Sequence, residues 1–212
     1  MKLPYAPSTP DPSNPESAEI YARVAARRHP RPLIPLDLAL LHSPPVADGW
    51  NSFLGAIRSR TVVDPGLLEL AVCRVAVLNS AVYEWNAHAP LALKGGVLPG
   101  ELEEVRSLPC TCSADNIQGE ILQGSNLKPA QRAVLRYTDQ MTRNVAVEDA
   151  AFDELRTVGF SDREIVELTA TIAGYNCVSR FLVALDVGEN NGRPMKEVGE
   201  LVSTGLSAGE KK

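Results

Sequence analysis

Few residues in this sequence could do acid–base or thiol chemistry: 212 residues carry three histidines and four cysteines. His29, between Arg28 and Pro30, reads as a solvated side chain, and His42 ends a short helical stretch where a histidine is a favourable cap. His88 is different. In Tyr83-Glu84-Trp85-Asn86-Ala87-His88-Ala89-Pro90 it follows Glu84 by four residues, on the same helical face. A carboxylate so placed can hydrogen-bond an imidazole, fix its tautomer and raise its pKa, which suits general acid–base catalysis. The plainer reading is an exposed helical Glu/His pair. Zinc fits poorly, because no second histidine stands at ligand spacing. Cys73 and Cys177 lie in apolar helical patterns and read as small hydrophobes. Cys110-Thr111-Cys112 is a loop pair with no second pair to complete a metal site, so it is expected to be reduced.

The elements that must position these residues are helical. Asp64-Pro65 supplies a cap and a first-turn proline, Leu67, Leu70, Val75, Val77 and Leu78 form an apolar stripe, and Gly95-Gly96 stops the pattern. Thirty residues is long for one helix, and Asn79-Ser80 favours a break, so two helices are expected at about 65–78 and 81–94. Ser13-Asn14-Pro15 starts a helix running to Arg28, with short helical pieces at about 36–42 and 47–59 separated by Ser43-Pro44-Pro45. Further helices are expected at 99–107, 129–143 and 147–157. A last one begins at Ser161, with Glu164 completing a capping box, and runs to about Val187 on a stripe of Ile165, Leu168, Ile172, Tyr175, Leu182 and Leu185. The stretch 108–127 reads as irregular. Almost nothing alternates with period two, so the fold class is all-α. Gly96–Val105 and Gly159–Leu168 echo one another, each a glycine, a hydrophobe, a turn and a Glu-apolar pattern, either as an internal echo or simply as two similar helix starts.

Composition narrows the function. The net charge is −5 with 22% charged residues, which lacks the basic footprint of a nucleic-acid binder. No apolar run reaches 18 residues and the first residues have no apolar signal core, so neither membrane spanning nor secretion is expected. That leaves a cytoplasmic globular protein. Ten of the sixteen prolines precede residue 50, so residues 1–14 read as an extended arm with no core of its own. The organisation expected is an arm and helix over 1–37, a helical domain over 38–190 and a flexible tail over 191–212.

The segments Leu67–Ala76, Tyr83–His88 and Ala92–Val97 together resemble the carboxymuconolactone decarboxylase family, which shares the alkyl-hydroperoxidase D-like fold. Leu41–Pro44, Val134–Thr138, Gly159–Ile165 and Tyr175-Asn176 with Arg180 also fit, so the resemblance spans roughly residues 38–188. It implies an all-α, alkyl-hydroperoxidase D-like bundle to which the proline-rich arm is an addition. The family's peroxidase branch carries Glu…Cys-x-x-Cys-x-x-x-His. With His88 on that histidine, Glu69 falls on the glutamate, and Ala81 and Glu84 stand where the cysteines would be. Thiol peroxidase chemistry therefore has no nucleophile here.

The surviving Glu69, Glu84 and His88 resemble the decarboxylase-type branch. The resemblance implies a cofactor-independent lyase acting on a small carboxylated lactone or keto acid, with His88 as acid, Glu84 holding it and Glu69 relaying a proton or orienting the pocket. Glu69 and Glu84 would lie about 22 Å apart on one unbroken helix, so the chain must turn back near Asn79-Ser80. Arg180 is a candidate for a substrate carboxylate, against a helix-surface ion pair. Trp85 and His42 are further pocket candidates, Trp85 against a core or subunit contact. No cofactor and no metal is expected. A homo-oligomer is expected, with the arm free to wrap a neighbour. Two other readings stay open: an isomerase using the same residues, and a non-catalytic oligomeric scaffold or binding protein.

Overall fold

A computed structural model describes residues 1–112 and 120–209 of the chain. Among these residues the regular structure is helical, with no strand, as the sequence patterning requires. Six helices open on a proline at their first position, where its missing N–H is one that has no helical partner anyway. The chain forms two compact units.

The first unit comprises Met1–Thr61 and Phe181–Asn190. It contains α1 (Pro15–Arg28), α2 (Pro35–Leu40) and α3 (Pro44–Ser59). The α1 bounds are those expected, with Asn14 Oδ1 accepting from Ser17 N at 3.0 Å. By contrast, α3 begins earlier than expected: Pro44-Pro45 forms its first turn instead of a separator. The expectation that residues 1–14 lack a core is also corrected. Ala6 is buried with Ile20, Tyr21, Val24, Leu40, Leu41 and Ala47. Lys2 N donates to Leu185 O, Ala6 N to Leu38 O, and Tyr21 Oη to Pro7 O. Two of the arm's backbone donors and one of its carbonyls are thus satisfied by its own unit.

The second unit comprises Val62–Arg180 and Asn191–Lys212. Its axis is α4 (Pro65–Leu78), followed by α5 (Val82–Lys94), α6 (Pro99–Ser107), α7 (Glu120–Gln123), α8 (Pro129–Arg143), α9 (Asp149–Thr157), α10 (Asp162–Leu185) and α11 (Val198–Gly209). The last residues of α10, from Phe181, belong to the first unit. Leu70 to Ala76 are all buried, so α4 is covered on every side, and it packs on α5, α6 and α8. Each such Leu or Val contributes about 1.5–3 kcal/mol. By length and composition α10 could cross a membrane, but half of its apolar window is buried in the fold.

The expected turn-back after α4 is present. Ser80 takes the left-handed φ of 54°, and Asn79 Nδ2 donates to Asn176 Oδ1 and Ser179 Oγ on α10. At the other end of this hairpin Gly66 and Gly95 meet so closely that a Cβ on Gly66 would stand 2.6 Å from Gly95 O. The internal echo has a local cause. Gly96 and Gly159 have φ of +93° and +100° and end helices, and Leu98 N and Ser161 N then donate to Glu101 and Glu164 at the next helix start.

Two further expectations are corrected. Of the irregular stretch 108–127, residues 113–119 lie outside the described residues, and Glu120–Gln123 is helical. The segment expected as a flexible tail contains α11, which packs on α5 and α6 with Val198 and Leu201 buried. Trp85 Nε1 donates to Lys196 O at 2.9 Å and Lys196 N to Asn86 Oδ1, fixing the approach to α11. Residues 210–212 lie outside the described residues.

Candidate active site

The α4–α5 hairpin brings Glu69 and His88 together. Glu69, on the second turn of α4, is 7% exposed, and its Oε2 accepts from His88 Nδ1 at 2.7 Å. That bond fixes the imidazole tautomer and gives an imidazolium a buried counter-charge. The edge of Tyr175, buried on α10, meets the His88 ring at a centroid distance of 4.8 Å and an interplanar angle of 80°. Three helices therefore set one imidazole: α5 carries it, α4 anchors it by a hydrogen bond and α10 packs its ring.

Glu84 does not hold His88, which corrects the role that the four-residue spacing suggested. Its side chain is 1% exposed, and neither Oε1 nor Oε2 has a hydrogen-bond partner among the described residues. Burial pushes its carboxyl well above the usual carboxylate range, which favours the neutral acid over the carboxylate. Cys73, one turn beyond Glu69, is fully buried, and burial together with Glu69 and Glu84 pushes its thiol up. It is no ready nucleophile.

The other candidates are engaged elsewhere. Arg180 Nη1 donates to Asn176 O at 2.9 Å and to Asn176 Oδ1 at 2.5 Å, beside the Asn79 turn. Trp85 is fully buried and bonded to Lys196 O, a packing role. His42 Nε2 donates to Pro4 O at 2.6 Å within the first unit. Cys177 is exposed, against its reading as a buried hydrophobe. In the loop pair, burial and then Cys110 push the Cys112 thiol up to about 12. The described residues hold no cluster of three or more His, Cys, Asp or Glu that could bind a metal.

Two features escaped the sequence. Tyr175 appeared there only as part of an apolar stripe. Arg74, fully buried, forms a two-pronged ion pair with Asp139 at 2.6 and 2.8 Å and donates to the carbonyls of Val105, Leu108 and Pro109. Asp139 also accepts from Thr111 N, so this pair ties α4, α8 and the segment after α6 together.

Residues 44–116 match the carboxymuconolactone decarboxylase family. No curated protein matches the sequence. Among solved structures, the chain is similar to an alkylhydroperoxidase AhpD core, a peroxidase-related protein from Ralstonia eutropha JMP134, with TM-score 0.64 and 19% identity over 90% of this chain and 99% of that one. It is similar to a peroxidase-related protein from Silicibacter sp. TM1040, with TM-score 0.64 and 18% identity over 89% and 95%. It is also similar to a variant of the debrominase Bmp8 in complex with 2,3,4-tribromopyrrole, with TM-score 0.60 and 17% identity over 93% and 96%. At these identities the structural likeness establishes the fold. The chain thus carries, over residues 44–116, a match to the carboxymuconolactone decarboxylase family, and its fold is the all-α one of the AhpD-like proteins.

Proposed function

We propose that the chain is a cofactor-independent carbon–carbon lyase of the decarboxylase type, acting on a small conjugated lactone acid or keto acid. One observation carries this reading: the 2.7 Å bond between His88 Nδ1 and Glu69 Oε2, made almost out of solvent. It equips His88 to hand a proton to carbon. The C–COO⁻ bond breaks, carbon dioxide leaves, and the electron pair passes into the substrate's conjugated carbonyl as an enolate. The imidazolium gives its Nε2 proton to the carbanion carbon, with Glu69 stabilising the charged ring beforehand, and solvent then reprotonates the imidazole.

The family match over 44–116, which contains Glu69, Glu84 and His88, supports the reading. Peroxidase chemistry is disfavoured because Ala81 and Glu84 stand at the two cysteine positions and the nearby Cys73 thiol is held protonated. A debrominase of the same fold holds a small planar ring, and a ring of that size suits the substrate proposed. The expected partner is therefore a small molecule, with neither nucleic acid nor membrane involved, and the protein is proposed to act as a cytoplasmic homo-oligomer.

Carbon dioxide release from a panel of β-keto and lactone acids tests the reading. His88→Gln should lower the rate by about 100- to 10,000-fold. Loss of a substrate C–H proton to deuterated solvent without carbon dioxide would instead identify an isomerase using the same dyad. Absence of both would favour the scaffold.

A further inference from the structure

Glu84 has no task in the mechanism above, yet the fold keeps it. Among the described residues five acidic side chains are buried: Asp37, Glu69, Glu84, Glu101 and Asp139. Four are satisfied. Asp37 accepts from Arg28 and Ile34 N, Glu69 from His88, Glu101 from Leu98 N and Gln131, and Asp139 from Arg74 and Thr111 N. Glu84 alone of the five has both oxygens unpartnered among the described residues. An ionised carboxylate so buried would be prohibitively costly, and even a neutral one loses about 1–3 kcal/mol for unmet hydrogen bonds. It also lies one helical turn from His88, on the same face of α5.

We propose that Glu84 is the oxyanion donor of this site, its carboxyl O–H giving a hydrogen bond to the carbonyl oxygen of the ligand as that oxygen gains charge. This rests on the lyase reading and adds to it a division of labour: Glu84 at oxygen, His88 at carbon. A neutral acid can donate where a carboxylate can only accept, so Glu84 selects a ligand carbonyl or enolate oxygen. During decarboxylation the electron pair of the breaking C–C bond accumulates on that oxygen. The Glu84 proton stays on Glu84 throughout, and the proton that reaches carbon comes from His88. The role is that of an oxyanion-hole donor, since a preorganised donor in a dry site contributes most where charge develops.

The test uses para-nitrophenolate, a coloured enolate mimic, with the intact protein and with Glu84→Leu, Glu84→Gln and His88→Gln. Leucine fills the same space without polar atoms, and replacing an unpaired buried acid this way should not impair folding, which circular dichroism checks. Wild type should bind the phenolate, Glu84→Leu should bind roughly 10- to 100-fold more weakly, and Glu84→Gln, whose amide still donates, should recover most of the loss. Infrared difference spectra between wild type and Glu84→Gln near neutral pH should show a protonated carboxyl stretch that shifts when the phenolate binds. Equal binding by wild type and Glu84→Leu, no binding by wild type, or absence of the carboxyl band would each overturn the proposal. On an accepted substrate, Glu84→Leu should lower kcat by about 100-fold. Undiminished carbon dioxide release in that variant would remove the oxyanion role and leave the lyase reading intact. Glu84-dependent phenolate binding without carbon dioxide release from any acid would do the reverse.

Discussion

Two groups of buried polar side chains share α4 and are built on opposite plans. Arg74 lies about 140° around the helix from Glu69, so the two groups occupy different faces. On one face every polar atom is spent: Arg74 and Asp139 hold each other twice, and the remaining donors of Arg74 go to three carbonyls. On the other face Glu69 and His88 hold each other, while Glu84, one helical turn before His88, makes no hydrogen bond among the described residues. A fully satisfied network rigidifies and has nothing left to offer a ligand, whereas an unsatisfied one is costly and keeps its donors available. The same helix thus carries a structural centre and a chemical one, told apart by hydrogen-bond satisfaction, not by burial.

Breaking the structural centre should have the largest effect. Arg74→Ala leaves Asp139 buried without its counter-charge and should cost about 3–5 kcal/mol in urea denaturation. A loss under 1 kcal/mol would show that the pair is not the clasp we describe. On the chemical face, Glu69→Gln should leave stability nearly unchanged and lower kcat by about 100-fold, near 2.7 kcal/mol. If stability falls instead and turnover holds, the two faces are not divided as argued.

The contrast sharpens with pH. Burial raises the folded-state pKa of Glu84 above its unfolded value near 4.3. Between these values the folded state binds more protons than the unfolded one, so the contribution of Glu84 is full below about pH 4.3 and is lost as pH rises through the folded value. The stability of wild type relative to Glu84→Gln should therefore fall by up to about 1.4 kcal/mol per pH unit in that window. Parallel stability curves for the two proteins would mean that Glu84 is not held protonated. The smallest effect should come from Tyr175→Leu, which removes the ring edge from His88 and should cost about 0.5–1.5 kcal/mol beyond the lost area. Tyr175→Phe should restore it.

Much of this architecture was legible locally. Asp64-Pro65, Asn79-Ser80 and Gly95-Gly96 mark caps, a break and a stop that depend only on neighbouring residues, and the helices at 65–78 and 82–94 follow them closely. The Ser161/Glu164 box is present for the same reason, with Ser161 N and Oγ both bonded to Glu164. Tail and cysteine environments were less legible. Gly, Ser and Thr toward the C-terminus suggest mobility, but Val198 and Leu201 find a buried place on α11, and Cys177 falls on the exposed side of an apolar helix.

By itself, the sequence determined most of the helices, several of their ends and the presence of one histidine with two acids near it, because caps, breaks and periodicity act over a few residues. Only the tertiary structure decided which acid does what. Spacing along a helix identifies neighbours four residues apart and nominated Glu84. The hairpin instead brings Glu69 to His88 across a separation of 19 residues, and the packing of α8 on α4 brings Asp139 to Arg74 across 65. Whether a carboxyl is a partnered anion or a lone neutral acid depends on what packs around it, and helix packing, not local sequence, sets that.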